Sequence, residues 1–204
     1  MKAPLGDISE IQVGYQSREG IRLDPKGSHW LIQARDIDKQ HQVQWSNLTR
    51  FTPSGSTSTY ELIQGDVLFL AKGQENFSCL IEHEMKDTLA ANTFYILRAN
   101  QEIVFASYLA WWFNQTPAQG FIKLHRSGSS LPFISISVLS KLEVSIPTFE
   151  IQKKIIELEK LRKREAYLTA SLLEKKSALV EAVCLNIITE QENIKNGEFT
   201  YQQE

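Results

Sequence analysis

Cysteine is scarce in this sequence. Cys79 and Cys184 stand far apart among 204 residues, with no CxxC pair. That spacing excludes a zinc-finger pattern and a disulfide framework, and two isolated thiols fit a reducing cytosol. Long hydrophobic runs are missing too: no apolar stretch approaches the roughly 20 residues that span a bilayer. Met1 to Asp7 has no apolar core of the signal-peptide kind. The expectation is a soluble, cytoplasmic protein. Charge of one sign is equally lacking. Net charge is −2, and residues 1–149 carry 13 Lys and Arg against 14 Asp and Glu. No global field would steer nucleic acid to the chain, so any such binding must use a local patch.

Catalytic signatures are absent as well. There is no GxGxxG, no phosphate-cradling GxxxxGK[ST] and no nucleophile elbow. The histidines at 29, 41, 83 and 125 sit at unrelated spacings. His83 lies between Glu82 and Glu84, which reads as a solvated acidic turn rather than a metal site. One arrangement resembles a nuclease: Asp66 opens a strand, and Glu84 and Lys86 follow, a set able to hold magnesium and polarise a water. Residues 82–84 read as a turn, however, where that geometry needs a strand. No catalytic residue and no metal ligand is assigned.

Proline and glycine are wholly absent from Glu150 to Ile188, and what fills the stretch is Leu, Ile, Ala, Glu and Lys, the least costly residues in a helix. At about 1.5 Å per residue it would form a rod of roughly 58 Å. Apolar residues recur at steps of three and four: Ile151, Ile155, Leu158, Leu161, Leu168, Leu172, Leu179 and Ala182, interrupted by Glu165 and Lys175. This is a coiled-coil seam with polar breaks. With one such helix per chain, the seam predicts a partner helix from another chain; the alternative is an amphipathic helix folded onto its own domain. Residues 189–204 are polar and aperiodic, and are expected to be frayed or disordered.

Residues 1–149 read as short strands between turns. Ile11 and Val13 alternate up to Gly14; Trp30–Ala34, Asp66–Leu70, Ser78–Ile81 and Thr93–Leu97 are compact strand-forming runs; Leu142, Val144 and Ile146 alternate into Pro147. Val104–Asn114 breaks the pattern, placing Phe105, Tyr108, Leu109, Trp111, Trp112 and Phe113 at helical spacing. The Trp pair could stack on bases, but aromatics so spaced are mostly core. The fold class is α+β: a strand-rich domain (1–149), one long helix (150–188) and a polar tail (189–204).

Three turn-like stretches carry small, polar and basic side chains: 15–18 with Gln16, Ser17 and Arg18; 72–76 with Lys72, Gln74 and Asn76; and 123–130 with Lys123, His125, Arg126, Ser127 and Ser129. Glycine allows close approach to a phosphate; Ser, Lys and Arg contact phosphates, and Gln, Asn and Arg pair with purine edges. Loops are polar in any case, but together the three fit a DNA reader better than a small-molecule site.

The ordered series Leu5-Gly6-Asp7-Ile8, Gly14-Tyr15, Ile37-Asp38, Gly65-Asp66-Val67-Leu68-Phe69 with Gly73, Tyr108-Leu109-Ala110, Gly128-Ser129-Ser130-Leu131-Pro132, and Leu142–Pro147 with Gln152 and Ile155 resembles the specificity (S) subunits of type I restriction–modification systems. The likeness covers roughly residues 5–185, in a half-length form with a single target-recognition domain. Thr148-Phe149-Glu150-Ile151 departs from the second proline and Glu usual before the helix glutamine. The resemblance implies a non-catalytic DNA-recognition subunit of a phage-defence complex. It implies a homodimer paired through antiparallel helices, adenine methyltransferase subunits and a restriction/translocase subunit as partners, and no cofactor in this chain. S-adenosylmethionine, ATP and magnesium would belong to the partner subunits. The competing classes are a stand-alone magnesium endonuclease using Asp66, Glu84 and Lys86, and a coiled-coil protein–protein adaptor.

Overall fold

A computed structural model describes residues 1–17, 20–83 and 86–200, with side chains described up to Gln191. The chain forms two compact units, Met1–Leu158 and Glu159–Glu204.

In the first unit the strands are β1 (Lys2–Pro4), β2 (Ser9–Val13), β3 (His29–Ile32), β4 (Thr49–Phe51), β5 (Val67–Leu70), β6 (Ser78–Leu80), β7 (Thr88–Ala90), β8 (Phe94–Ala99) and β9 (Glu143–Ser145). The helices are α1 (Leu5–Ile8), α2 (Ala106–Phe113), α3 (Thr116–His125), α4 (Ile136–Leu139) and the start of α5 (Phe149–Thr200). The central sheet has the order β2-β8-β5-β6, antiparallel throughout. A second sheet, β4-β3-β7, pairs β3 with β7 in parallel, and β1 pairs with β9.

β5 explains the architecture. Successive strand residues face opposite ways, and both faces of β5 are covered. Val67 and Phe69 enter a core with Tyr95, Leu97 and the helical residues Tyr108, Leu109, Trp112 and Phe113. Leu68 and Leu70 enter a second core with Ile32, Leu62, Phe94 and Ile96. A strand buried on both sides needs no polar alternation, which is why Val-Leu-Phe-Leu runs unbroken. Trp112 is buried in the first core and Trp111 half-buried, so the Trp pair is packing.

α3 was not anticipated. Pro117 sits in its first turn, and Ala118 and Ile122, one helical turn apart, are buried. Residues 123–130 are therefore not one loop: Lys123 and His125 occupy the last turn of a helix, where positive charge suits the dipole.

The base of α5 belongs to the first unit. Gln152 is buried, the rings of Phe105 and Phe149 lie 4.9 Å apart, and Ile155 and Ile156 pack on the first core. The compact unit thus extends to Leu158, past the boundary expected at 149. Ile155, assigned above to the intermolecular seam, is half-buried within its own unit. At its other end α5 continues past Ile188 to Thr200, where a frayed tail was expected. No proline follows Pro147, and the Glu, Gln and Lys after Ile188 are good helix residues. Residues 201–204 lie outside the described residues.

Leu158, Leu161, Leu168, Leu172 and Leu179 are each more than half exposed, and Ile151 nearly so. Leu173, Val180 and Ile187 form a second exposed apolar stripe at seven-residue spacing beside the seam. The apolar face of α5 is wider there than a two-stranded seam requires.

Candidate nucleic-acid interface

The register of the central sheet brings the polar stretches to one end. β2 stops at Val13 opposite Tyr95, β5 stops at Leu70 opposite Phe94, and β6 starts at Ser78 opposite Phe69. Segments 14–17 and 71–77 therefore leave the sheet beside the turn that precedes β8. Backbone bonds hold them there: Tyr15 N–H donates to Ala90 O at 2.7 Å, and Ala71 N–H to Thr93 O at 2.9 Å. The first contact needs glycine at 14, because a Cβ on Gly14 would overlap the carbonyl oxygens of Ala90 and Ala91.

The third stretch joins through a tight loop. Ser127 and Phe133 exchange N–H···O bonds, both 2.8 Å, around Gly128 at φ +96°. Gly73 N–H donates to Pro132 O at 2.9 Å, and Ile134 N–H to Ala71 O at 3.2 Å. Side chains complete the junction: Arg126 Nη1 donates to Gln74 O at 2.8 Å, and Gln74 Nε2 to Ser130 O at 3.3 Å.

Between these loops and α3 lies an open groove of about 640 Å³, with Gln74, Asn76, Lys123 and Arg126 on its walls. Four residues chosen from sequence thus line one concavity. Asn114, Thr116 and Gln119 line it too; sequence reasoning missed Thr116 and Gln119 because α3 was not foreseen, and Asn114 because it only caps a helix read as core. Several side chains here are tied to the main chain: Asn76 Nδ2 donates to Leu70 O at 2.9 Å, and Gln119 Nε2 to Phe113 O at 2.7 Å. Lys123 and Gln74 are exposed, and Lys72 is half-buried. Glu75 is the one acid on the groove wall among the described residues. Ser127 and Ser129 are exposed on the loop after α3. His125 is exposed, stacked on Phe121 at 4.1 Å, with Nδ1 2.8 Å from Phe121 O.

The first stretch rests on a different support. Tyr15 is buried, with its hydroxyl donating to Ser54 O at 3.1 Å and accepting from Ser54 N–H at 2.8 Å. Ser17 Oγ lies 3.5 Å from Ser54 Oγ, and Gln16 is exposed. Arg18 lies outside the described residues.

The nuclease arrangement finds its first member otherwise engaged. Asp66 is buried; its carboxylate accepts from Arg98 Nε at 3.0 Å and from Ile63 N–H at 3.0 Å. That pair fixes the start of β5, since Arg98 also donates to Glu61 O at 3.0 Å. Glu84 lies outside the described residues.

No family model matches the sequence, and no curated protein does. Solved structures do. The S subunit of a type I restriction–modification system from M. genitalium is 14% identical, with a TM-score of 0.57 over 85% of this chain. The HsdS subunit from Thermoanaerobacter tengcongensis is 15% identical, with a TM-score of 0.59 over 82%. A chain from structural work on complex assembly and conformational transition of the type I R-M system is 16% identical, with a TM-score of 0.58 over 88%. This chain therefore has the fold of type I specificity subunits, a strand-rich domain followed by a long helix. It spans 41–43% of the length of those solved chains.

Proposed function

We propose that this chain is a DNA-recognition and scaffold subunit of a type I restriction–modification complex, and not itself an enzyme. One observation carries the reading: strands far apart in sequence bring Gln16, Lys72, Gln74 and Asn76 to one end of a single sheet, and Arg126, at the end of α3, bonds there to Gln74 O. Loops on a rigid sheet suit a duplex reader, with Lys and Ser on phosphates and Gln, Asn and Arg at base edges. Near-zero net charge agrees with a protein that relies on this local patch and on partner subunits for affinity.

The exposed seam of α5 pairs with the same seam of a second copy, antiparallel, so that the dimer reads two half-sites in two-fold symmetry across an unread spacer. The second stripe, Leu173, Val180 and Ile187, leaves apolar surface beside that seam for helices of methyltransferase subunits. A restriction/translocase subunit completes the assembly. S-adenosylmethionine, ATP and magnesium belong to those partners.

The test is selection from a random duplex library, with this chain co-expressed with the methyltransferase subunit of its own operon. An enriched palindrome with a constant spacer is expected. No enrichment from a well-formed complex would overturn the recognition role and leave the adaptor reading.

A further inference from the structure

Away from the interface, three metal-ligating side chains with no neighbourhood in sequence meet on the second sheet. His29 opens β3, and Asp87 immediately precedes β7. The parallel register Trp30↔Thr88 sets these two residues side by side, and Trp30 N–H donates to Asp87 O at 2.7 Å. Glu61 arrives from the other side of β7. It bridges Leu89 in antiparallel register, and Leu62 N–H donates to Thr88 O at 3.0 Å. One potential ligand atom from each of His29, Glu61 and Asp87 lies within 4.8 Å of the other two. We propose that His29, Glu61 and Asp87 bind one divalent first-row transition ion, of the zinc or manganese kind.

The histidine is set for this chemistry. Its Nδ1 is 2.8 Å from Ser28 Oγ, which can accept the Nδ1 proton; Nε2 then keeps a lone pair, which a metal ion would take in place of the Thr57 hydroxyl. Nε2 is the nitrogen on the Glu61 side: Thr57 Oγ1 lies 3.2 Å from it and 3.4 Å from Glu61 Oε1. The ring also meets Phe51 edge-on at 6.4 Å, which limits its rotation. The two carboxylates stand close together, and among the described residues neither has a Lys or Arg partner. A cation would relieve their mutual repulsion. Two ligands on one such ion sit roughly 3–4.4 Å apart, given bonds of about 2.0–2.2 Å, so small side-chain rotations close the site.

One nitrogen and two carboxylates suit zinc or manganese better than magnesium or calcium, which prefer all-oxygen sets. The ion would be structural. It would tie β3, the segment before β7 and residues 57–61 together. That last segment leads back to Ser54, on which Tyr15 rests, and Thr59 O accepts from Gln12 Nε2 at 2.6 Å. The site exists whether or not the chain reads DNA.

The test uses the full chain stripped with chelator and titrated with zinc chloride, then manganese chloride, by calorimetry, with thermal unfolding followed in parallel. Saturable binding of one ion and a raised midpoint are expected. His29→Gln, Glu61→Gln and Asp87→Asn should each weaken binding about tenfold or more. Their metal-free midpoints would report any folding defect separately. No saturable binding, or binding unchanged in His29→Gln and Glu61→Gln at intact fold, would overturn the site and assign any metal uptake to other surface groups.

Discussion

Gln152, in the first turn of α5, accepts a hydrogen bond on Oε1 from the backbone N–H of Phe105 at 3.0 Å. Its Nε2 donates to Pro147 O at 3.0 Å. One buried carboxamide thus joins the root of the long helix to the residue that caps the start of α2. Among the buried residues, few others are polar. Gln152→Ala would leave that N–H and the Pro147 carbonyl without this partner, at about 1–3 kcal/mol. Urea denaturation should show the loss, and Gln152→Glu should not fully restore stability, because a carboxylate cannot donate to Pro147 O.

Alkaline pH should expose two tyrosines. Burial raises the pKa of Tyr95 and of Tyr108 above the ordinary 10.0. Their hydroxyls donate to Ile134 O at 2.8 Å and Ser145 O at 2.7 Å. The folded state therefore holds these protons more tightly than the unfolded state does. Their contribution to stability is complete below pH 10 and is lost as pH rises through the raised folded values. Absorbance titration should show two of the six tyrosines ionising late, coincident with unfolding. Tyr95→Phe should remove one late ioniser and lower stability by roughly 1 kcal/mol.

Replacing Leu161, Leu168 and Leu172 together with Asp should give monomers by light scattering. All three are more than half exposed and belong to the second unit. The substitution should therefore leave thermal unfolding of the first unit unchanged. Unchanged dimers would remove the seam from the account.

The groove allows roles to be separated. Gln74→Ala should change which duplex is preferred, by about 1–3 kcal/mol if a base edge is read. Lys123→Ala should instead weaken all duplexes alike and shallow the salt dependence, as loss of a phosphate contact does. Arg126→Ala should do more than either, because the guanidinium also holds the Gln74 backbone at 2.8 Å. Competition binding at two salt concentrations separates the three. Wild-type affinity and preference in all three variants would mean that DNA lies elsewhere.

Much of the fold was legible because its signals are short-range. Period-two alternation marked β2 and β9, and a doubly buried strand such as β5 shows as an unbroken apolar run. The helical aromatics of α2 were equally plain. The three-residue strands β1, β4 and β7 were not, since so few residues carry no period. α3 was hidden because only Ala118 and Ile122 of its ten residues are buried, too sparse a pattern to separate from a polar loop. Ile155 was read as seam because an apolar residue at heptad spacing looks the same whether it faces a second helix or its own domain.

The sequence by itself determined the long helix, the double-faced central strand and the polar, basic character of three stretches. Each depends on residues within a turn or two of one another. Only tertiary structure decided that Arg126 meets Gln74, that Asp66 is held by Arg98, and that His29, Glu61 and Asp87 stand together. Those encounters depend on strand order and register between segments dozens of residues apart. Register is fixed by burying whole faces at once, a collective outcome that local propensity does not encode.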